Sequence, residues 1–239
     1  MQSPACGDFT AVSSKTSGDY VREKLPDGSF NKETYAFGQG GRLGGSIRDD
    51  TIDQLPFSTV ARTIAAPLST QNYVISTDPE RTKLLIMVYW GTSAGTAEDP
   101  NEFAMPATVR GRIDYQNARL LGYDSEGVIG TEYGRNMLLT ALRWKAVDLL
   151  DDIGDNRYFV VLMAYDFQVM WKEKKHKLLW ETRFSVRENR NDFGKALPVM
   201  SQYASRYFGR DTHGLIRRPL QENISLGELK VLGIEPEKK

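Results

Sequence analysis

The sequence predicts an α+β fold, a mixed or antiparallel sheet of about five strands with about three helices, mainly on one face. Three observations carry that expectation. Residues 84–90 and 158–165 are apolar runs of strand length, too short for a bilayer span and rich in β-branched and aromatic side chains. Residues 178–186 alternate strictly, with Leu178, Trp180, Thr182, Phe184 and Val186 on one side and Glu181, Arg183 and Ser185 on the other. Helical spacing recurs in three places, through Ile52, Val60, Ile64 and Leu68, through Leu138, Leu142, Leu149 and Leu150, and through Phe193, Leu197, Met200, Ala204 and Phe208.

Taken in chain order, residues 1–29 read as a flexible tether, because Gly7 to Ser29 is rich in Ser, Thr, Gly, Asp and Lys. Residues 30–239 then form a single α+β domain with an irregular insertion at about 91–130. A first strand is expected at residues 34–37, followed by a glycine-rich connector, residues 38–45. A helix over residues 51–70 accepts Pro56 in its first turn and ends or bends at Pro67. A strand at residues 72–76 leads to the run 84–90, apolar on both faces and so expected at the centre of the sheet.

A second helix is expected at 131–153. The strand beginning at Tyr158 continues in the alternation as far as Trp171, a solvated basic turn spans 172–176, and the alternating strand follows. The third helix begins near Phe193 and ends at Gly209 as a C-cap, with Pro198 expected to bend it or delay its start to Leu197. Two short strands, 214–218 and 229–234, close the chain.

Composition narrows function more by exclusion than by assignment. Lys plus Arg and Asp plus Glu number 31 each, so no net field draws the chain to nucleic acid. The basic turn contains Glu173 and lacks the interleaved aromatics of a single-strand-binding surface, so it reads as a hairpin tip. One cysteine rules out an intramolecular disulfide and a cysteine-based metal cluster, and two distant histidines leave few ligands for a transition metal. No cofactor is expected, and no run approaches the roughly 18 apolar residues of a transmembrane helix.

Cys6 follows Ser3, Pro4 and Ala5, which loosely resembles the end of a lipoprotein signal, where a small residue precedes the cysteine that becomes acylated. Two readings stand, an acylated anchor and an unpaired surface cysteine in the tether.

Among candidate catalytic groups, Gly91-Thr92-Ser93-Ala94-Gly95 matches the Gly-x-Ser-x-Gly spacing and follows an apolar strand, as a nucleophile elbow does. The residues after it do not start a convincing helix, and His176 and His213 would each have to be delivered by the fold. The glycine-rich stretch lacks the Lys of a P-loop and the last glycine of a dinucleotide fingerprint, so a connector is the preferred reading over an anion cradle. Asp151, Asp152, Asp155 and Asn156 offer oxygen ligands without EF-hand spacing and read as a solvated turn, and Glu98, Asp99 and Glu102 read as surface carboxylates. Tyr89, Trp90, Tyr115, Tyr123 and Tyr133 flank the irregular middle and are the candidates for a groove that takes a glycan or a peptide.

The elements Thr34-Tyr35-Ala36-Phe37, the helix around 60–68, Gln71-Asn72-Tyr73 and the strand 84–89, followed later by Leu179-Trp180-Glu181 and the helix 193–208, resemble a group of bacterial envelope domains, many of them lipoproteins. The likeness covers about two thirds of the chain, omits the middle and the tail, and carries no catalytic residue across. It implies a periplasmic or outer-membrane-associated location and an accessory role, with an envelope protein, peptidoglycan or a lipid component as partner. The expected function is therefore a non-enzymatic envelope binding protein, with a serine hydrolase on Ser93 as the alternative.

Overall fold

The computed structural model describes residues 9–43, 49–95, 107–122, 152–188 and 192–219. Seven strands form one mixed sheet: β1 (Phe9–Thr16), β2 (Glu33–Leu43), β3 (Tyr73–Ile75), β4 (Leu84–Thr92), β5 (Arg157–Asp166), β6 (Leu178–Arg187) and β7 (Ile216–Pro219). Their order is β3-β2-β4-β5-β6-β1-β7. β2 runs parallel to β3 and β4, and every other pairing is antiparallel. The described helices are α1 (Asp50–Asp53), α2 (Phe57–Ser69), α3 (Ala107–Leu120), α4 (Phe167–Glu173) and α5 (Phe193–Ala204), with a 3-10 turn at Ser205–Tyr207.

Alternation decides which side chains meet the helices. Leu84, Ile86, Val88 and Trp90 of β4, Tyr158, Val160, Leu162 and Ala164 of β5, and Trp180, Phe184 and Val186 of β6 all join one core. Against them lie Ile52 of α1, Val60, Ile64 and Leu68 of α2, and Phe193, Leu197, Met200 and Ala204 of α5. Burying each such side chain contributes about 1.5–3 kcal/mol, which is why the helical spacing outweighs the two prolines inside α2 and α5. Pro198 forfeits the hydrogen bond to the Gly194 carbonyl, yet α5 runs unbroken from Phe193 with Asp192 as its N-cap, accepting from the Lys195 N–H at 3.2 Å. The predicted helix over 51–70 is divided at Leu55–Pro56, where Pro56 caps α2 instead of sitting inside it.

Four sequence expectations are corrected. The tether over 1–29 gives way, from Phe9 onward, to β1, which lies inside the sheet between β6 and β7. Its serines look unsuited to a core but are consumed by hydrogen bonds: Ser13 Oγ donates to Gly122 O at 3.3 Å, and Ser14 Oγ lies 2.6 Å from Thr182 Oγ1 and donates to Tyr207 O at 2.9 Å. The glycine connector is instead the second half of β2 as far as Leu43, hydrogen-bonded to β4 across a bulge between Gln39 and Gly41. Within the supposed irregular insertion, residues 107–120 are helical.

The strand expected from Tyr158 to Trp171 ends at Asp166. Its carboxylate accepts the Val169 N–H at 3.0 Å and starts α4, and Lys174, at φ 56°, closes that helix in the left-handed conformation. The hairpin of β5 and β6 itself stands as expected, with Tyr158 opposite Val186 and Ala164 opposite Trp180. The expected helix over 131–153 lies outside the described residues apart from a helical turn at 152–154, and the strand at 229–234 lies outside them entirely. Among the described residues, no helix is long and apolar enough to cross a membrane.

Candidate functional site

The sheet face opposite α2 and α5 carries Leu85, Met87 and Tyr89 of β4 and Met163 and Tyr165 of β5, all half-buried. The register places Met87 beside Met163, Leu85 beside Tyr165, and Tyr89 beside Val161. On the other flank, Gly38 faces Met87, and Gly40 is the extra residue of the β2 bulge. A Cβ on Gly40 would lie 2.5 Å from the Tyr89 ring, so the phenol lies across bare backbone. Gly41, at φ 116°, supplies the conformation that turns the strand there. The glycine-rich sequence thus clears a floor on which one thioether and one aromatic ring lie flat.

This surface grades into charge along the same rows. Glu181 pairs with Met163 across β5 and β6, Arg183 pairs with Val161, and the two charged side chains bond each other at 2.5 Å. Partial burial pushes the Tyr165 phenol's pKa upward, and the neighbouring Tyr89 and Glu181 act in the same direction. Tyr165 is therefore a neutral hydrogen-bonding group at ordinary pH, its ring in edge contact with His176 at 6.1 Å.

The five aromatic candidates do not form one groove. Trp90 is only 4% exposed and points to the opposite face from Tyr89, with its ring stacked at 6.1 Å on Phe57. As neighbours in a strand, residues 89 and 90 had to separate in this way, so Trp90 is core. Tyr115 is half-buried on α3 with the Arg119 guanidinium 5.9 Å from its ring centre. Tyr123, Tyr133 and Cys6 lie outside the described residues, as do Glu98, Asp99 and Glu102.

The Ser93 turn sits at the other end of β4. Ser93 is 6% exposed, its N–H donates to Arg157 O at 2.8 Å, and its hydroxyl donates to Asp155 O at 3.2 Å. The same oxygen accepts the Arg157 N–H at 3.0 Å. Asn156 Oδ1 accepts the Gly95 N–H at 2.6 Å, and Asn117 of α3 donates to Ala94 O and Ile153 O at 2.7 and 2.8 Å. Together these bonds fasten α3 and the strand end to the start of β5. Neither histidine is brought there: His176 lies beyond the far end of β5, and His213 is exposed beside Asp211, next to Thr212, whose N–H bonds Ser14 O.

Beneath the turn, Arg157 is 2% exposed and fully engaged. Nη1 meets Asp152 Oδ1 at 2.8 Å, Nε meets Ser185 Oγ at 3.1 Å, and Nη2 reaches Phe9 O and Ser185 O at 3.4 Å. Burial depresses the pKa of its guanidinium, and the carboxylates of Asp152 and Asp155 oppose that shift. Arg217 of β7 donates from Nε to Asp152 Oδ2 at 2.6 Å, and Arg187 pairs with Asp155. Of the carboxylates weighed as metal ligands, Asp152 and Asp155 are thus bonded to arginines and Asp151 lies outside the described residues; no cluster of three or more His, Cys, Asp or Glu is found among the described residues.

A second buried cation closes the other end of the core. The Arg22 guanidinium lies 4.2 Å from the Phe30 ring centre and 4.0 Å from that of Tyr73, donates to Gln71 O at 2.6 Å and stands 3.3 Å from Glu33. Tyr20 donates to the same Glu33 at 2.7 Å. These contacts fasten the segment after β1 over the end of the sheet, a role the tether reading missed; Tyr20, Arg22 and Phe30, spaced among polar residues, were its only sequence signal.

No family model matches the sequence, and no curated protein matches it. Among solved structures, the chain is similar to a PDZ domain protein from Parabacteroides distasonis, with 10% sequence identity and a TM-score of 0.41. The likeness covers 88% of this chain but spans only 39% of that protein, and at this level it carries no argument about function.

Proposed function

We propose that the protein is a non-enzymatic binding module of the bacterial cell envelope, with its ligand surface on the sheet face of Met87, Tyr89, Met163 and Tyr165. The observation that carries this reading is the glycine floor under Tyr89 and Met87. A β-strand loses about 0.5–1 kcal/mol for each interior glycine relative to alanine, so Gly38 and Gly40 weaken the strand in exchange for a flat aromatic and thioether surface. Flat, half-buried phenols with a polar edge suit a partner that is itself flat and partly apolar, such as the face of a sugar ring. The neighbouring Glu181 and Arg183 add groups that hydrogen-bond hydroxyls or amides.

Ser93 supports the same reading from the other direction. Its hydroxyl is shared between two main-chain groups in a buried turn, the arrangement of a structural serine rather than of a nucleophile whose proton a histidine removes. The hydrolase alternative is tested by a fluorophosphonate probe on the folded protein with a Ser93→Ala control. Labelling lost in the control establishes the enzyme.

The envelope location rests on the resemblance set out above, and acylation of Cys6 would provide its anchor. Metabolic labelling with a fatty acid, compared between the natural gene and its Cys6→Ser variant, tests that part separately. Direct binding is tested by titrating soluble peptidoglycan fragments into wild type and Tyr89→Ala. Saturable binding weakened by the substitution supports the surface, and binding unchanged by it removes the assignment.

A further inference from the structure

We propose that the β5–β6 hairpin tip is a peripheral membrane contact that docks on an anionic lipid surface. The helix there, α4, carries Phe167, Val169, Met170 and Trp171 in seven residues, and none of its residues is buried. The packed helices α2 and α5 each bury at least four side chains, whereas α4 buries none, so its run of large apolar groups needs a different explanation. Trp171 is 39% exposed, its ring 6.2 Å from that of Phe167 one turn earlier, and Leu178 at the start of β6, paired with Tyr165, is 37% exposed.

The tip is held rather than loose. Gln168, on another side of the helix, donates to Pro79 O at 2.8 Å and to Thr82 O at 2.7 Å, while the Asp166 cap and the left-handed Lys174 fix its two ends. A firmly held helix that leaves its aromatic side at the surface is presenting it.

Charge selects the partner. Lys172, Lys174, Lys175 and Lys177 are exposed around the apolar groups, and Glu173 is the one acidic residue between 167 and 178. Glu173 bonds Lys175 and Asp19 bonds Lys177, leaving an excess of positive charge over the tip as a whole. Lysines flanking a tryptophan and aliphatic side chains form the pattern of an interfacial segment, in which the ring enters the headgroup layer and the amines meet anionic headgroups. An acidic protein partner would need the charge but would not need a bulky apolar cap that remains half-wet.

The tip adjoins the proposed ligand face at Tyr165 but is built from different residues, and it lies at the opposite end of β1 from Phe9.

The test is co-sedimentation of the 239-residue chain with vesicles of phosphatidylcholine alone and with added phosphatidylglycerol. Binding is expected only to the anionic vesicles and should weaken with salt. A Lys172→Gln, Lys174→Gln double variant should bind about 25-fold more weakly, at about fivefold per lysine, and Trp171→Ala roughly tenfold more weakly. Circular dichroism should stay unchanged, because these side chains are exposed. Equal binding to both vesicle types, no binding to either, or wild-type binding by both variants overturns the proposal. Retention on heparin without vesicle binding assigns the tip to a soluble polyanion and overturns it too. Peptidoglycan titrations of the tip variants should match wild type, so the two proposals fail separately.

Discussion

Gly40 and Tyr89 occupy one position on the sheet surface: the ring of the tyrosine fills the space a Cβ on the glycine would need, 2.5 Å away. Gly40→Ala should therefore destabilise the fold by about 1–3 kcal/mol, as over-packing does. Adding Tyr89→Ala should restore part of that loss, a coupling that a double-mutant cycle of urea midpoints measures directly. Additive losses would mean that the two residues do not compete for this space.

Ser93→Ala removes the acceptor of the Arg157 N–H and should cost about 1–3 kcal/mol, because a buried donor is left unpaired. The same variant should bind peptidoglycan fragments as wild type does. A stable variant with altered ligand binding would contradict the structural role.

Asp152→Asn withdraws the carboxylate that faces both Arg157 and Arg217. Removing one partner from a buried ion pair costs about 3–5 kcal/mol, and the double variant Asp152→Asn, Arg157→Met should be milder than the single one, since the fully buried guanidinium goes with its carboxylate and Arg217 is partly exposed. Denaturant unfolding of wild type and the two variants measures the order.

Burial raises the pKa of the phenols of Tyr20, Tyr35 and Tyr73 well above the ordinary value, with Glu33 adding to the effect at Tyr20 and Tyr73. The unfolded chain ionises its tyrosines near pH 10, so below that pH both states hold the same protons and these groups give no pH dependence. Above it the unfolded state releases protons that the folded state retains, and stability falls as pH rises. Tyrosinate absorbance from these residues should appear together with the loss of circular dichroism. Full ionisation of all 11 tyrosines in a folded chain would contradict the burial described.

Most of the architecture was legible because it rests on apolar periodicity. Val160 and Leu162 on β5, Phe184 and Val186 on β6, and Phe193 and Met200 on α5 each lie on the face that alternation or helical spacing assigns. What escaped was structure made by polar side chains. The Thr-Ala-Val-Ser-Ser run of β1 resembles linker composition, yet Thr10 is buried in its pairing with β7 and Ser13 and Ser14 in theirs with β6, a tertiary effect that no local pattern carries. α3 was hidden for a related reason, since Asp114 and Asn117 stand buried beside Ala118 where an apolar stripe would be sought.

The candidate surface was half legible. Tyr89 was singled out with Trp90 as if neighbours in sequence shared a surface, but strand geometry sends them to opposite faces. The glycines of β2 read as a flexible connector, and only the register with Met87 and Tyr89 shows what they make room for. At the end of β5, the alternation through Phe167, Val169 and Trp171 imitated a longer strand, while Asp166, a good N-cap three residues before Val169, was the local signal of the turn into α4.

The claim that β4 and β5 present a ligand surface is tested most directly by methionine-methyl NMR of the whole chain during addition of soluble peptidoglycan fragments. Met87 and Met163 should shift in a saturable way, while Met200, buried against the helices, should stay still. Shifts absent from Met87 and Met163 throughout the titration, or present equally at Met200, would contradict it.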